Sequence, residues 1–374
     1  MSGDTTRGPD LPIVGRDPTG LGGDGHGAGI GSSPAPGSDP SLVRADDRMV
    51  DGFGRRIEYL RISVTDKCNL RCVYCMPMEG LPWIPKSQLL SWEEIRDIVE
   101  TMAPMGLRRV RITGGEPLVR QEVHKLVGFL RAVPEIEDIS LSTNAVLLGD
   151  QAAALADAGL DRVNVSLDSL RDDRIESIAR RSGVAGKIWR GLEAAERHGF
   201  DPIKINVVLM RGRNDDEIED FARLTLDHPW HVRFIEVMPT SANLDVSREE
   251  QVTCDQALER ISAIDALEPV EGPTGNGPAR YWTFPGAAGS IGVITPMSHT
   301  FCDRCNRMRL TADGQLRPCL FGDLQTDLRG PLRLGQDLRP HIERTLRIKP
   351  ERHLLEQGSD VGSGGLAALS QTGG

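Results

Sequence analysis

No run of about 18 apolar residues occurs anywhere in this 374-residue chain, so a membrane-spanning helix is not expected. Met1 to Thr6 and the residues after them offer no basic n-region and no apolar h-region, and the chain reads as cytoplasmic. A basic surplus is missing as well. Lys and Arg number 44 against 54 Asp and Glu, a net charge of -10, which argues against a general grip on nucleic acid and makes each basic cluster a local question. No Walker-type glycine-rich loop is present to cradle phosphates. Residues 1–48 hold eleven Gly and six Pro but no Phe, Trp or Tyr. Such a segment cannot bury enough apolar surface to offset its ordering entropy, so a disordered tail is expected there.

Seven cysteines are present, and six fall into two groups of three. That grouping suits metal chemistry in a reducing compartment better than a disulfide framework in a chain this large. Cys68, Cys72 and Cys75 are spaced C-x3-C-x2-C directly after a strand-like run over 57–65. A four-iron cluster normally takes four thiolates. No fourth cysteine and no histidine lies nearby, so one iron would be left open to bind something else. Structural zinc is the alternative, although such sites close with four ligands. Cys302, Cys305 and Cys319 form the second group. There a zinc site of three cysteines and His299 is an alternative, and Cys254 is either a fourth ligand or a small buried apolar side chain.

From Asp51 onward strand and helix patterns alternate. Strand-like runs lie near 57–65, 109–113, 138–142, 162–167, 203–209 and 231–237. Helical patterns lie from Ser91, whose Ser-Trp-Glu-Glu has the form of a capping box, and near 120–132, 149–158, 185–199 and 214–227. Six β-then-α units imply a parallel sheet with crossover helices. Within the runs one face is apolar (Leu60, Ile62, Val64; Val110, Ile112; Ile139, Leu141) and the other polar (Arg61, Ser63, Thr65; Arg111, Thr113; Ser140, Ser142). Val163 and Val165 likewise oppose Asn164 and Ser166, and Ile203 and Ile205 oppose Lys204 and Asn206. A doubly wound sheet buries both faces and reads apolar throughout. The alternation predicts a curved sheet with helices outside and a polar chamber inside, hence a lumen for a ligand. In the sixth run Arg233 and Glu236 have opposite phase, which leaves its inward face open. Past residue 240 a short helix near 253–264 and strands near 279–284 and 289–295 predict a smaller appended domain over 241–350, then a tail over 351–374 ending in Gly373-Gly374.

The triad Cys68/Cys72/Cys75, followed by Met76-Pro77, resembles the signature of the radical S-adenosylmethionine (radical SAM) superfamily. The resemblance implies a partial (β/α)6 TIM-like barrel over 49–240, a [4Fe-4S] cluster whose open iron chelates SAM, and reductive cleavage to a 5′-deoxyadenosyl radical. Gly115, in Gly114-Gly115-Glu116-Pro117, then matches a SAM-contacting position, as do Tyr74, Ser166 and Met238. Taken alone, Gly-Gly-Glu-Pro is also an ordinary turn, and a methionine at a strand end is also ordinary core. With the second triad, Arg61, Arg307-Met308-Arg309 and the terminal Gly-Gly, the chain from about residue 50 resembles the GTP 3′,8-cyclase family of molybdenum-cofactor biosynthesis. This implies two [4Fe-4S] clusters, the second holding the purine of GTP. Arg61, Arg307 and Arg309 take catalytic positions, and Arg61, Arg111, Ser142, Lys204, Arg307, Met308 and Arg309 take the nucleotide. Converging cations in an acidic protein need an anion, and the planar guanidinium suits phosphate oxygens.

Two departures from the family stand out. Ser142 replaces the usual Thr, and Ala145 stands where a Gly often follows Thr143-Asn144. An electron donor is implied without being identified, and homodimerisation or docking of the downstream pterin-forming enzyme is left open. The rival expectations are a radical SAM peptide maturase with an auxiliary cluster, and a zinc-binding module without catalysis.

Overall fold

The computed structural model describes residues 48–238, 250–274 and 277–353. All of them belong to the compact unit Pro40–Gly374. The tail expected over 1–48 falls outside the described residues except for Arg48, and so do the terminal glycines and the boundary expected at 240.

Six strands, β1 (Tyr59–Ser63), β2 (Arg109–Thr113), β3 (Asp138–Thr143), β4 (Arg162–Ser166), β5 (Ile203–Leu209) and β6 (Trp230–Glu236), lie side by side and parallel in chain order. Helices α1 (Trp92–Met102), α2 (Val123–Arg131), α3 (Leu148–Asp157), α4 (Asp172–Ala179), α5 (Ala185–Arg197) and α6 (Ile218–Asp227) fall between them. The start of α1 shows why the helices begin where they do. Ser91 Oγ accepts from Glu94 N at 3.1 Å, and Glu94 Oε2 accepts from Ser91 N at 2.7 Å, a reciprocal cap of about 1 kcal/mol. Ile95, Ile98, Val99 and Met102 then recur at helical spacing and are fully buried. They meet the outward strand face: Leu60, Ile62, Val110, Ile112, Ile139, Leu141, Val163 and Val165 are all inaccessible in one core. Truncating one, as in Ile98→Ala, removes about 2–5 kcal/mol of stability.

The remaining chain adds to both edges of this same sheet. After α7 (Cys254–Ser262) come β7 (Glu268–Val270), β8 (Arg280–Thr283) and β9 (Ser290–Ile294), and β9 runs parallel beside β6. The chain then crosses to the other edge, where β10 (Arg307–Leu310) runs parallel beside β1, followed by antiparallel β11 (Gln315–Arg317) and β12 (Thr326–Asp327). Helices α8 (Arg329–Arg333) and α9 (Arg339–Arg347) complete the described chain. The resulting order is β12-β11-β10-β1-β2-β3-β4-β5-β6-β9-β8-β7. Residues from both ends of the six-strand run border one cavity, so the sheet curls as the polar inner face requires.

Ala145 occupies the left-handed region at φ 60, where a glycine is unstrained and an L-residue pays about 1 kcal/mol. Gly191 in α5 lets that helix close on it, since a Cβ there would sit 2.4 Å from the Ala145 carbonyl.

Candidate active site

The inner face of the sheet lines a cavity of about 250 Å³. Register assembles its basic wall: Arg309 of β10, Arg61 of β1 and Arg111 of β2 are direct cross-strand neighbours, and Arg307 pairs with Tyr59 one step along. Among the described residues five arginines border the cavity, the fifth being Arg233 of β6, and no Asp or Glu does. Burial, followed by neighbouring guanidiniums, pushes Arg309 down to about 10, and pushes Arg61 well below its usual value. Arg111 is also pushed down to about 10, by burial above all. The nearby Asp138 offsets this crowd only in part, and both its oxygens are engaged with Nε and Nη2 of the buried Arg162. Arg111 donates to Ser140 Oγ at 3.1 Å and lies over the Tyr59 ring at 5.6 Å, while Arg307 lies over the Phe301 ring at 5.0 Å.

Not every residue expected at the nucleotide reaches this wall. Ser142 borders the cavity. Lys204 is buried outside its lining, where Nζ donates to the Thr274 carbonyl at 2.5 Å; burial and then Arg233 push it down to about 6. Met308 has its side chain in the apolar core, because strand alternation turns it away from Arg307 and Arg309. The ambiguous sixth strand is resolved: Arg233 faces inward, and Glu236 faces α7, accepting from Cys254 N, Met297 N and Ser298.

Cys68, Cys72 and Cys75 are half-buried on the loop after β1. The loop is strapped to the end of α4 by Arg71 N to Ala179 O at 2.9 Å and Val73 N to Ile178 O at 3.1 Å. Leu70 N points at Cys68 Sγ at 3.4 Å, and Asn144 Nδ2 lies 3.9 Å from the same sulfur. Gly115 is forced by packing, since a Cβ there would stand 2.3 Å from the Lys67 carbonyl. Glu116 next to it is buried, accepting from Thr143 Oγ1 at 2.7 Å, Asn144 N at 2.7 Å and Leu118 N at 3.0 Å, and burial raises it to about 7. It thereby holds Asn144 against the first triad. Burial pushes the Cys68 thiol up to about 11. Tyr74 reaches from this loop into the cavity, with Ser166 and Met238, and donates to Asp168 Oδ2 at 2.8 Å. Burial raises Asp168 to about 6 against the hydrogen bonds from Val208 N and Tyr74.

All three sulfurs of the second triad belong to residues bordering the cavity. Neither alternative fourth ligand joins them. His299 is exposed and pairs with Asp255 at 2.9 Å, and Cys254 is buried beneath α7 with Sγ 3.5 Å from the Phe234 and Ile294 carbonyls. Among the described residues no three His, Cys, Asp or Glu side chains converge on a single-ion site. Burial alone raises the Cys305 thiol, but Arg307 and Lys349 outweigh it and bring it down to about 7. The donor chemistry of both triads fits an iron-sulfur cluster with one iron lacking a cysteine: three sulfurs each and a backbone or side-chain N–H group aimed at sulfur, the second triad itself bordering the cavity and the first reaching it through Tyr74. Tyr59, Arg233 and His353 also border the cavity. The phase of Tyr59 with Arg61 was readable; nothing local marked His353.

Residues 62–225 match the Radical SAM superfamily, and residues 230–355 match Molybdenum Cofactor Synthesis C. The chain is 48% identical over 313 residues to a GTP 3′,8-cyclase of Moorella thermoacetica, covering 83% of this chain and 96% of that protein. It is 46% identical to one of Pelotomaculum thermopropionicum with the same coverage of both, and 47% identical to one of Listeria monocytogenes, covering 82% and 92%. The chain belongs to the GTP 3′,8-cyclase family. Among solved structures, Streptococcus suis SuiB bound to S-adenosylmethionine shares the fold with a TM-score of 0.54 at 14% identity, covering 76% of this chain and 67% of that one. This chain therefore combines the radical SAM fold with a C-terminal portion, and that portion extends the barrel sheet at both edges. Among the described residues no helix is long and apolar enough to cross a membrane.

Proposed function

We propose that the two cysteine triads hold two [4Fe-4S] clusters on opposite sides of one substrate chamber, with GTP bound by the arginines between them. The chain is a radical SAM GTP 3′,8-cyclase, converting GTP to (8S)-3′,8-cyclo-7,8-dihydroguanosine 5′-triphosphate in the first step of molybdenum-cofactor biosynthesis. The observation that carries the proposed arrangement is the lining: five guanidiniums, three thiols and no carboxylate among the described residues.

Cys68, Cys72 and Cys75 would hold the first cluster, which would pass one electron from an external reductant to SAM and so supply the radical chemistry directed at ribose C3′. Cys302, Cys305 and Cys319 would hold the second, whose iron lacking a cysteine would be available to the purine. The chain's own residues do the rest. Arg61, Arg111, Arg307 and Arg309 bind the triphosphate, and Ser142 adds a hydroxyl beside them. Arg61, Arg307 and Arg309 carry the catalytic positioning: they fix the ribose and base relative to each other so that C3′ is held facing C8. Tyr74, Gly115, Ser166 and Met238 bind SAM, Gly115 by allowing the 114–117 turn to lie on the Lys67 carbonyl. Lys204 acts through the loop it tethers at Thr274, and Met308 contributes packing beneath the two arginines. Enclosure by the sheet and by Phe301 and Phe321 excludes water from a reactive nucleotide.

Anaerobic reconstitution with iron and sulfide, then incubation with reductant, SAM and GTP, tests the proposal. The expected result is about eight irons per chain, 5′-deoxyadenosine and the cyclised nucleotide. About four irons per chain, or tightly held zinc at Cys302, Cys305 and Cys319, removes the second cluster.

A further inference from the structure

Lys349 is 3% exposed and stands just past α9, where Pro350 ends the helix. Its ammonium has three N–H donors, and three acceptors receive them: Pro318 O at 2.6 Å, Arg307 O at 3.0 Å and Cys305 Sγ at 3.6 Å. Those acceptors belong to the segment carrying Cys305, to the strand carrying Arg307 and Arg309, and to the residue before Cys319. One side chain thus ties together both halves of the second triad and the start of the basic wall.

The position of Lys349 is itself fixed from behind. Arg55 donates to Pro350 O at 2.6 Å, Glu351 O at 2.8 Å and Cys302 O at 2.8 Å, and its Nε is held by Asp51 at 2.6 Å. Burying an ammonium among carbonyls alone is costly. The third acceptor, Cys305 Sγ at 3.6 Å, is a sulfur that the two-cluster reading gives to the cluster, and it is the one acceptor of the three that is a side-chain atom.

We infer that Lys349 is a positioning residue for the second cluster, setting the geometry of Cys305 and Cys319 and raising the cluster's reduction potential through its hydrogen bond to Cys305. The inference rests on the two-cluster reading. Hydrogen bonds and positive charge at a ligating sulfur favour the reduced cluster, because reduction adds negative charge there. The same contact leaves the first triad untouched, so the two clusters are made electronically unequal by the chain.

The test uses the full chain carrying Cys72→Ala, so that only the second cluster remains, reconstituted anaerobically and compared with Lys349→Met and Lys349→Gln in that background. Iron content and an EPR-monitored redox titration are the readouts. For Lys349→Met the expected midpoint is more negative, by about 59 mV if the reduced fraction at fixed potential falls tenfold for one electron. Lys349→Gln keeps an N–H donor without the charge and is expected in between. A Lys349→Met protein with about four irons at an unchanged midpoint overturns the inference. If Lys349→Met takes up no iron, Lys349→Gln decides: a midpoint more negative than the parent's supports the assignment, while an unchanged midpoint or no iron overturns it, since the lysine then serves the fold alone. A Cys72→Ala parent without iron sinks the two-cluster reading itself, and the inference with it, a result recognisable from the iron count before any lysine is changed.

Discussion

The two cysteine triads have the same number of thiols and opposite electrostatic company. Around the first, the buried carboxylates Glu116 and Asp168 add to desolvation in disfavouring thiolates, and Cys72 is pushed well above its usual value, by burial first and then by Asp168. Around the second, Arg307 and Lys349 pull Cys305 down to about 7 despite burial. The difference matches what each side would receive on the proposed reading, SAM at the first triad and GTP beside the second. SAM carries a sulfonium and an ammonium against one carboxylate, so a negative surround suits it. GTP carries a triphosphate, so a wall of guanidiniums suits it. Two triads with different spacing, three thiols each, are thereby set in different electrostatic surroundings by the residues behind them.

The largest effects should come from removing one triad at a time. Cys72→Ala is expected to abolish both 5′-deoxyadenosine formation and cyclisation. Cys305→Ala is expected to keep SAM cleavage and lose the cyclised nucleotide. Quantifying both products by chromatography checks this, and wild-type cyclisation by Cys305→Ala would erase the distinction between the triads. Next in size are the arginines. Arg307→Ala and Arg309→Ala each truncate a charge bordering the cavity, where the proposed reading puts the triphosphate, expected to cost about 2–5 kcal/mol, or about 30-fold and more in GTP affinity. SAM binding should remain. Calorimetric titration with each ligand separates the two, and equal losses for SAM and GTP would show that the cavity has no charged sides.

Much of this was legible in the sequence because strand alternation has a period of two and survives without tertiary context. The six inner strands and the Ser91 cap lie where their patterns placed them. The basic wall was legible only in part. Arg61 and Arg111 could be phased within their own strands, but Arg307-Met308-Arg309 gave no sign of being a strand, since four residues are too few to show a period. Its partner β1 lies far back in the chain, and pairing over that distance leaves no local trace. For the same reason Met308 reads as one of three adjacent site residues until the strand shows it turned into the core. Helix α4 was missed because Asp172–Ala179 is only eight residues long, too few for a helical period to stand out, even though its acidic first turn suits a helix N-terminus. Glu236 looked like a competing lumen residue because a cap acceptor for α7 and a chamber wall carry the same polar signature.

The smallest expected effect concerns the negative side of the comparison and is carried by pH. Burial raises Glu116 from an ordinary 4.5 to about 7 and Asp168 from 3.8 to about 6. For fold stability the sign is unfavourable to ionisation: these two groups cost least below their ordinary values, and the cost grows as pH rises through about 6 and 7. For SAM the sign is the reverse, because each proton gained on acidification removes a negative charge from the surround of a cationic ligand. Acidifying from pH 8 to about 5.5 should therefore weaken SAM binding while the ligand-free chain becomes more resistant to urea from these groups. The guanidiniums of Arg111 and Arg309, pushed down only to about 10, keep their charge throughout. Asp168→Asn preserves an acceptor for Tyr74 and removes one of the two titrating charges. It should cost about 1 kcal/mol of SAM binding at pH 8, roughly fivefold, and flatten the acid limb of the profile. Titration of SAM into the reconstituted protein without GTP measures this directly. An Asp168→Asn profile parallel to wild type at every pH would mean that the negative surround of the first triad plays no part in choosing the cationic ligand.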